Sequence, residues 1–260
     1  MKLGQAELQE IQSWLLEVGQ IALEGYPSAK THLKEDRTPV TDVEYRIEAM
    51  LVERLMRRYP HCQIISEEAG VLEDASDYVW ALDPIDGTKP YVRGLPVWGI
   101  SLGLLERGKP HTGFLYLPAL NEFYLGGEVG AFWNGQRLRN FPGYEYDDPL
   151  SFVAVPSNTH LHYDIRYGRL QAFGCTAAHL GLVARRAAVA ALTRPVYVWD
   201  IAGILPVLQQ TGVVCEFFSG KELDLTSMLK GEVAEEALLA AQPRWLPQLR
   251  ADIQAKKKAG

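Results

Sequence analysis

VWALDPIDGTKPYVRGLP, residues 79–96, runs from an apolar, β-rich segment straight into two aspartates, Asp83 and Asp86. Asp-Pro and Asp-Gly are ordinary turn dipeptides, so a surface turn would account for them. A metal site at a strand end would account for them equally. In that case Pro84 removes a backbone donor and turns the chain, leaving the Ile85 carbonyl free to point with the two carboxylates. Hard divalent cations take this donor set, and Mg²⁺ keeps several waters that a substrate can displace. Gly87 and Thr88 would then open a turn or helix whose amides cradle a phosphate.

Two further acidic islands decide the weight of that reading. Glu67 and Glu68 follow an apolar run in IISEEAG, and Asp200 ends another in VYVWDIAGILPVLQQTG. Taken alone, Glu67-Glu68 is a solvated loop and Asp200 is the N-cap of a helix beginning at Ile201. Taken together, successive strands that end in acids can present them on one edge of a sheet. A cluster of carboxylates is unfavourable without cations between them.

The flanking segments indicate the fold class. Leu8, Ile11, Leu15, Val18 and Ala22 recur at helical spacing. KTHLKEDRTPV (residues 30–40) reads as a polar loop. Thr41 followed by Glu44 is a capping-box signature for a second helix that Pro60 ends. Short β-rich runs follow at CQIIS, YVWAL, VWGISLGLL, TGFLYL and EFYLGG, and Asn134-Gly135 marks a hairpin turn in GAFWNGQRL. In the second half SFVAVP and VVCEFF read as strands. Helices are expected near 176–192, 201–211 and 232–241. The pattern predicts an α/β (α+β) chain with helices layered on sheets. The expectation is one domain over 1–260 with two packed halves, about 1–145 and 146–260, with FPGYEYDDPL (141–150) as the candidate junction.

Composition excludes several classes. The chain has 260 residues, 47% hydrophobic and 22% charged, which is ordinary globular usage. A net charge of −6 argues against a general nucleic-acid binder, and Lys256–Lys258 read as a solvated tail. Cys62, Cys175 and Cys215 read as free buried thiols of a reducing compartment. The N-terminus lacks a signal-peptide core and no window reaches the ~18 apolar residues of a membrane helix. The expectation is a cytoplasmic protein with no membrane or nucleic-acid partner. His160 and His162 alternate as in a strand, without a third ligand type nearby to make a zinc site.

SEEAG, WALDPIDGT and VWDIAG, in this order and spacing, resemble the inositol monophosphatase family of Mg²⁺-dependent, lithium-sensitive phosphatases. TPVTDVE, GAFWNGQRL and FGCTAAHLGLVA extend the resemblance over residues of about 30 to 215. It implies the layered α-β-α-β-α sandwich of the inositol monophosphatase/fructose-1,6-bisphosphatase type, a small phosphorylated metabolite as substrate, and a homodimer. Glu67, Asp83 and the Ile85 carbonyl would hold one Mg²⁺. Asp83, Asp86 and Asp200 would hold a second. Thr88, with Glu67, would orient and help deprotonate the attacking water, with Asp86 also in the catalytic set. The backbone at Gly87 and Thr88 would bind the phosphate beside Asp86. Two metals clamp the attacking and leaving oxygens and offset the charge that builds on the phosphoryl group.

Departures from the family pattern bear on detail. Glu44 stands where the family usually has aspartate, which puts a third, weakly held Mg²⁺ in doubt; the plainer role of Glu44 is to reciprocate the Thr41 cap. Lys34 matches a lysine common in the family. Thr193, followed by Arg194, replaces a glutamate that binds a ring hydroxyl in the inositol enzymes. Lys89, Arg93 and Arg194 would suit a substrate with a second anionic group, or are exposed charges. Inositol monophosphate leads the substrate candidates. Histidinol phosphate, fructose 1,6-bisphosphate and 3′-phosphoadenosine nucleotides follow, with a catalytically silent metal- or phosphate-binding fold-mate as the alternative from another class.

Overall fold

The computed structural model of the chain describes residues 1–35, 37–72, 75–139 and 145–256. The first helix, α1 (Gln5–Gly25), buries Leu8, Ile11, Leu15, Val18 and Ala22, the stripe that its sequence spacing predicts. Next comes a small antiparallel hairpin of β1 (Thr31–Leu33) and β2 (Pro39–Thr41), where the polar sequence predicted a loop. Strands this short carry no readable period. Helix α2 (Asp42–Arg58) starts at the predicted cap: Thr41 Oγ1 accepts from the Glu44 amide, and Glu44 Oε2 accepts from the Thr41 amide.

An eight-stranded sheet forms the centre. It contains β3 (Gln63–Ser66), β4 (Gly70–Leu72), β5 (Tyr78–Asp86), β6 (Gly99–Glu106), β7 (Lys109–Leu117), β8 (Glu122–Gly127), β9 (Gly130–Trp133) and β10 (Gln136–Leu138), in the order β10-β9-β8-β7-β6-β5-β3-β4. Only the β3–β5 pair is parallel. Alternate residues of β5 serve opposite cores. Trp80 and Leu82 pack with α1 and α2, while Val79 and Ala81 pack with the helices on the other face. A strand buried on both sides reads as a continuous apolar run, as this one does. Between Asp86 and β6, Thr88–Val92 form the short helix α3.

The second half supplies β11 (Val153–Ala154), β12 (Tyr163–Ile165), β13 (Leu170–Gln171), α4 (Thr176–Ala184), β14 (Ala190–Thr193), α5 (Val198–Ala202), α6 (Leu205–Gln210), β15 (Val214–Phe217), β16 (Leu238–Ala241), α7 (Leu246–Asp252) and β17 (Ile253–Ala255). A five-stranded sheet in the order β13-β11-β14-β16-β15 is the fourth layer, and α7 packs beyond it. From one side to the other the layers are α1/α2, the large sheet, α4–α6, the small sheet and α7, the predicted α-β-α-β-α sandwich. The middle core draws on both halves of the chain, from Ile65 to Ala240.

Four expectations are corrected. The helix expected over 176–192 ends at Ala184; Arg186 takes φ +63 and Ala190–Thr193 become a strand. The helix expected over 232–241 is strand β16, and helix resumes only at Leu246. Both are short Ala/Leu runs buried on two faces, for which periodicity does not separate helix from strand. His160 lies in a 3₁₀ turn (Thr159–Leu161) and His162 follows it, so neither belongs to a strand. Residues 201–211 are interrupted around Gly203, so α5 and α6 replace a single helix. Residues 141–144 of the expected junction, and Lys257 and Lys258, lie outside the described residues.

A row of glycines sets the distance between layers two and three. Gly103, Gly113 and Gly126 sit in register across β6, β7 and β8. A Cβ on any of them would come within 2.3 Å of backbone atoms of Ala202, Gly203 or Val207. The turn joining α5 to α6 therefore rests on bare backbone, and this close approach carries Asp200 down to the sheet.

Candidate metal and phosphate site

The acids converge because β3 and β5 run parallel. Ser66 pairs with Leu82, so the next residues, Glu67 and Asp83, leave the same end of the sheet side by side. The Glu67 amide donates to the Leu82 carbonyl at 3.2 Å, extending the ladder to the acid itself. Between Asp83 and Asp86 the pairing with β6 slips by one residue. This bulge coincides with Pro84, and Asp83 Oδ1 accepts from the Ile85 amide at 3.0 Å across it. Gly87 then takes φ +95, and a Cβ there would lie 3.1 Å from the Cys175 side chain and 3.2 Å from the Gly174 carbonyl. Only glycine fits this corner.

Glu67, Asp83, Ile85, Asp86, Gly87, Thr88 and Asp200 all line one cavity of about 260 Å³, together with Lys89, Thr176, Tyr197 and Trp199. Asp86 is held at the start of α4, accepting from the Thr176 amide (3.1 Å), the Ala177 amide (2.5 Å) and the Cys175 thiol (3.1 Å). Asp200 is not the N-cap that the sequence predicted. It is the third residue of α5, and its Oδ2 reaches back to accept from the Tyr197 amide at 2.8 Å. The Tyr197 and Trp199 rings stack 4.8 Å apart on the same wall.

Electrostatics confirm that these acids feel one another. Asp83, 1% exposed, is raised well above the usual carboxylate range by burial and then by the charges of Glu67, Asp86, Asp200 and Glu44. Asp86 is pushed up to about 6 by burial, against which the Ala177 amide, Cys175 thiol and Thr176 amide work. The carboxyl of Asp200 opens to the cavity on one side only and is raised by desolvation and by Asp86. The donors are all hard oxygens from separate segments, and their mutual repulsion calls for a cation. Each carboxylate is meanwhile engaged by a protein donor. Among the described residues, no three acidic, histidine or cysteine side chains already stand in the arrangement of a finished coordination sphere. The site fits a divalent ion in its chemistry, and the carboxylates must turn to ligate it.

Thr88 has a partner that sequence reasoning did not assign. Its Oγ1 donates to Glu44 Oε1 at 2.7 Å, while Glu44 Oε2 takes the Thr41 amide and hydroxyl at 2.5 and 2.7 Å. Glu44 thus does cap α2, and its second oxygen serves the cavity. Fully buried, it is pushed up to about 7 by desolvation, with the Thr41 and Thr88 hydrogen bonds opposing. Both its oxygens are engaged by protein donors. Glu67, expected to assist Thr88, is paired instead with Lys34 at 3.1 Å. The local sequence signal, a Glu three residues after Thr41, points to the cap, and the family position points to a metal; neither points to Thr88.

The specificity candidates separate. Lys89 is exposed at the cavity wall. Thr193 is 1% exposed within β14, and its hydroxyl has no hydrogen-bond partner. Arg194 and Arg93 are exposed and do not line the cavity, Arg194 lying near Tyr163. A groove of about 310 Å³ between α1 and the β8–β9 region is lined by glutamines and apolar side chains without a titratable group, so it offers no such chemistry.

A layered α/β fold with an acid-lined cavity at a strand end defines a class of phosphoryl-handling hydrolases. The chain belongs to the inositol monophosphatase family, whose sequence pattern matches residues 5–257, and it is a phosphatase acting on phosphate monoesters. It is 32% identical over 193 residues to a fructose-1,6-bisphosphatase/inositol-1-monophosphatase of Thermotoga maritima, covering 72% of this chain and 75% of that one. Its fold matches a solved Thermotoga maritima IMPase with a TM-score of 0.81 at 24% identity, over 95% of this chain and 96% of the other. It also matches an IMPase/NADP phosphatase in complex with Mg²⁺ and phosphate, with a TM-score of 0.80 at 20% identity, covering 95% and 94%. Among the described residues no helix is long and apolar enough to cross a membrane.

Proposed function

We propose that the chain hydrolyses the phosphate monoester of a small metabolite with Mg²⁺ as cofactor, and that inositol monophosphate is the first substrate to test. The observation that carries this reading is the meeting of Glu67, Asp83, Asp86 and Asp200 in one cavity with the Thr88–Glu44 hydrogen bond on its wall. Glu67, Asp83 and the Ile85 carbonyl would hold one ion, and Asp83, Asp86 and Asp200 a second. Ions so placed would neutralise phosphate charge and lower the pKa of a bound water.

The chain's own groups account for the rest. With its hydrogen given to Glu44, the Thr88 hydroxyl presents oxygen lone pairs to the cavity. They can accept a proton from an attacking water as the Thr88 proton passes to Glu44 Oε1. The amides of Gly87 and Thr88 would meet the phosphate. The Tyr197–Trp199 wall, with Lys89 across the cavity, would face the leaving group. Fructose 1,6-bisphosphate is the second substrate to test, since the Thermotoga maritima relative carries both activities in its name. Histidinol phosphate and a 3′-phosphoadenosine nucleotide complete the panel, because Lys89 offers a charge to a second anionic group.

The test is phosphate release from this panel with and without Mg²⁺. Mg²⁺-dependent turnover of one ester supports the reading. Tight Mg²⁺ binding without turnover of any ester would favour a silent fold-mate. Inhibition by Li⁺ and a homodimeric state belong to the same reading, and are checked by the same assay and by sedimentation.

A further inference from the structure

Lys34 sets an ammonium against one of the carboxylates that line the cleft to which the proposed function assigns divalent ions. Its Nζ lies 2.6 Å from Glu68 Oε1 and 3.1 Å from Glu67 Oε1. The two carboxylates are not equivalent. Glu68 has a side chain only 4% exposed, lies outside the cavity lining, and has its amide fixed by Glu48 Oε2 at 3.0 Å. Glu67 is 27% exposed and lines the cavity beside Asp83. A cation approaching Glu67 therefore meets a like charge already seated on the same carboxylate. It can use Glu67 Oε1 unopposed only if that ammonium moves. The surroundings allow the move: all three residues of β1, which leads to Lys34, are exposed, so little apolar contact resists a shift of this hairpin arm.

We infer that Lys34 is a built-in competitor for the divalent cation at Glu67, and that Glu68 is the anchor to which its ammonium retreats when the ion arrives. The inference rests on the reading of the cleft as a metal site. Its consequence is an ion affinity set below what the carboxylates alone would give. A second consequence is an internal counter-charge that returns to Glu67 when the ion leaves, limiting the repulsion among Glu67, Asp83 and Asp86. Glu68 favours the ion in two ways, through its own charge and, more strongly, by holding Lys34 away from Glu67.

The test is a Mn²⁺ titration of the full chain without phosphate, free Mn²⁺ being read by electron paramagnetic resonance, for the wild type, K34M, K34Q, E68Q and K34M/E68Q. Mn²⁺ is a suitable probe because it takes the same oxygen donors as Mg²⁺. Both Lys34 variants are expected to bind about ten-fold more tightly, the effect of removing one neighbouring charge. E68Q is expected to bind more weakly than wild type, and to lose most of that effect in the K34M background, because the loss operates through Lys34. Unchanged or weaker binding by K34M and K34Q overturns the inference alone. So does an E68Q effect of equal size in both backgrounds. If the wild type binds no Mn²⁺ at all, the inference falls together with the functional reading beneath it.

Discussion

The two walls of the cleft are built by different rules. On one wall Glu67 and Asp83 leave neighbouring parallel strands side by side through hydrogen-bond register, and the bulge at Pro84 adds Asp86. On the other wall Asp200 comes from α5 and the amides of Thr176 and Ala177 from α4, elements distant in sequence. The in-register glycines Gly103, Gly113 and Gly126 bring the segment that carries Asp200 to the sheet. The strand wall is fixed by local pairing, whereas the helical wall is fixed by how closely two layers can approach. The first is tolerant of changes in packing and intolerant of changes in charge, and the second is the reverse.

Asp83→Asn breaks the strand wall by charge alone and should have the largest effect. Activity is expected to fall by at least about a thousand-fold, roughly 4 kcal/mol of transition-state stabilisation, in a steady-state phosphate-release assay. Asparagine keeps an oxygen to accept from the Ile85 amide and removes the charge that Glu67, Asp86, Asp200 and Glu44 oppose. The same variant should therefore melt at a higher temperature than wild type in divalent-free buffer, measured by circular dichroism. A variant that lost activity and also melted lower would show that the acids do not strain the fold as described. Thr88→Ala should cost about a hundred-fold in kcat and about 1–3 kcal/mol in stability, because buried Glu44 loses a donor, and Thr88→Ser should retain most activity, because its hydroxyl can still donate to Glu44.

The helical wall is broken by size. Gly113→Ala would drive a methyl to 2.3 Å from the Gly203 carbonyl, an atom of backbone that cannot swing aside. A loss of about 2–3 kcal/mol in urea denaturation is expected. Activity should fall as Asp200 shifts, although the substitution lies away from the cavity lining. Equal stability of wild type and Gly113→Ala would mean that the layers are not in the contact described.

The contrast explains what could be read in advance. The strand wall was legible because an apolar run ending in acids is a local pattern, and two such runs in succession point to one sheet edge. Helices α1 and α2 were legible through period and cap. The helical wall was placed through resemblance; nothing local shows that Asp200 reaches back to Tyr197, or that Thr176 and Ala177 hold Asp86. The Thr88–Glu44 bond was hidden for a related reason, since one carboxylate performs a local capping task and a long-range one. Strands β14 and β16 were missed because Ala190–Thr193 and Leu238–Ala241 are buried on both faces, and two-sided burial erases the alternation that marks a strand. Thr193 and Arg194 were singled out by position in the chain, but the strand geometry turns that position away from the cavity.

The helical wall also carries a titratable prop that the strand wall lacks, and this gives the smallest of the expected effects. His179 in α4 is 2% exposed, its Nε2 accepts from the Phe173 amide at 3.1 Å, and burial holds its pKa down at about 4. The unfolded chain takes up this proton near the ordinary histidine value of 6.5 and the folded chain only near 4. The stabilising contribution is therefore complete above about pH 6.5 and lost as pH falls towards 4, amounting to about 2 kcal/mol by pH 5. Glu44 and Asp86, both raised, act in the opposite sense over the same range, because the folded chain binds their protons first. The histidine's share is thus read as a difference: between pH 7 and pH 5, wild type should lose about 2 kcal/mol more than His179→Gln in urea denaturation. Parallel pH profiles for the two proteins would mean that His179 takes up its proton as readily in the fold as in the unfolded chain, and that burial in α4 does not hold it neutral. The pH dependence of this cleft would then rest on its carboxyl groups, Asp200 of the helical wall and Glu44 of α2 included.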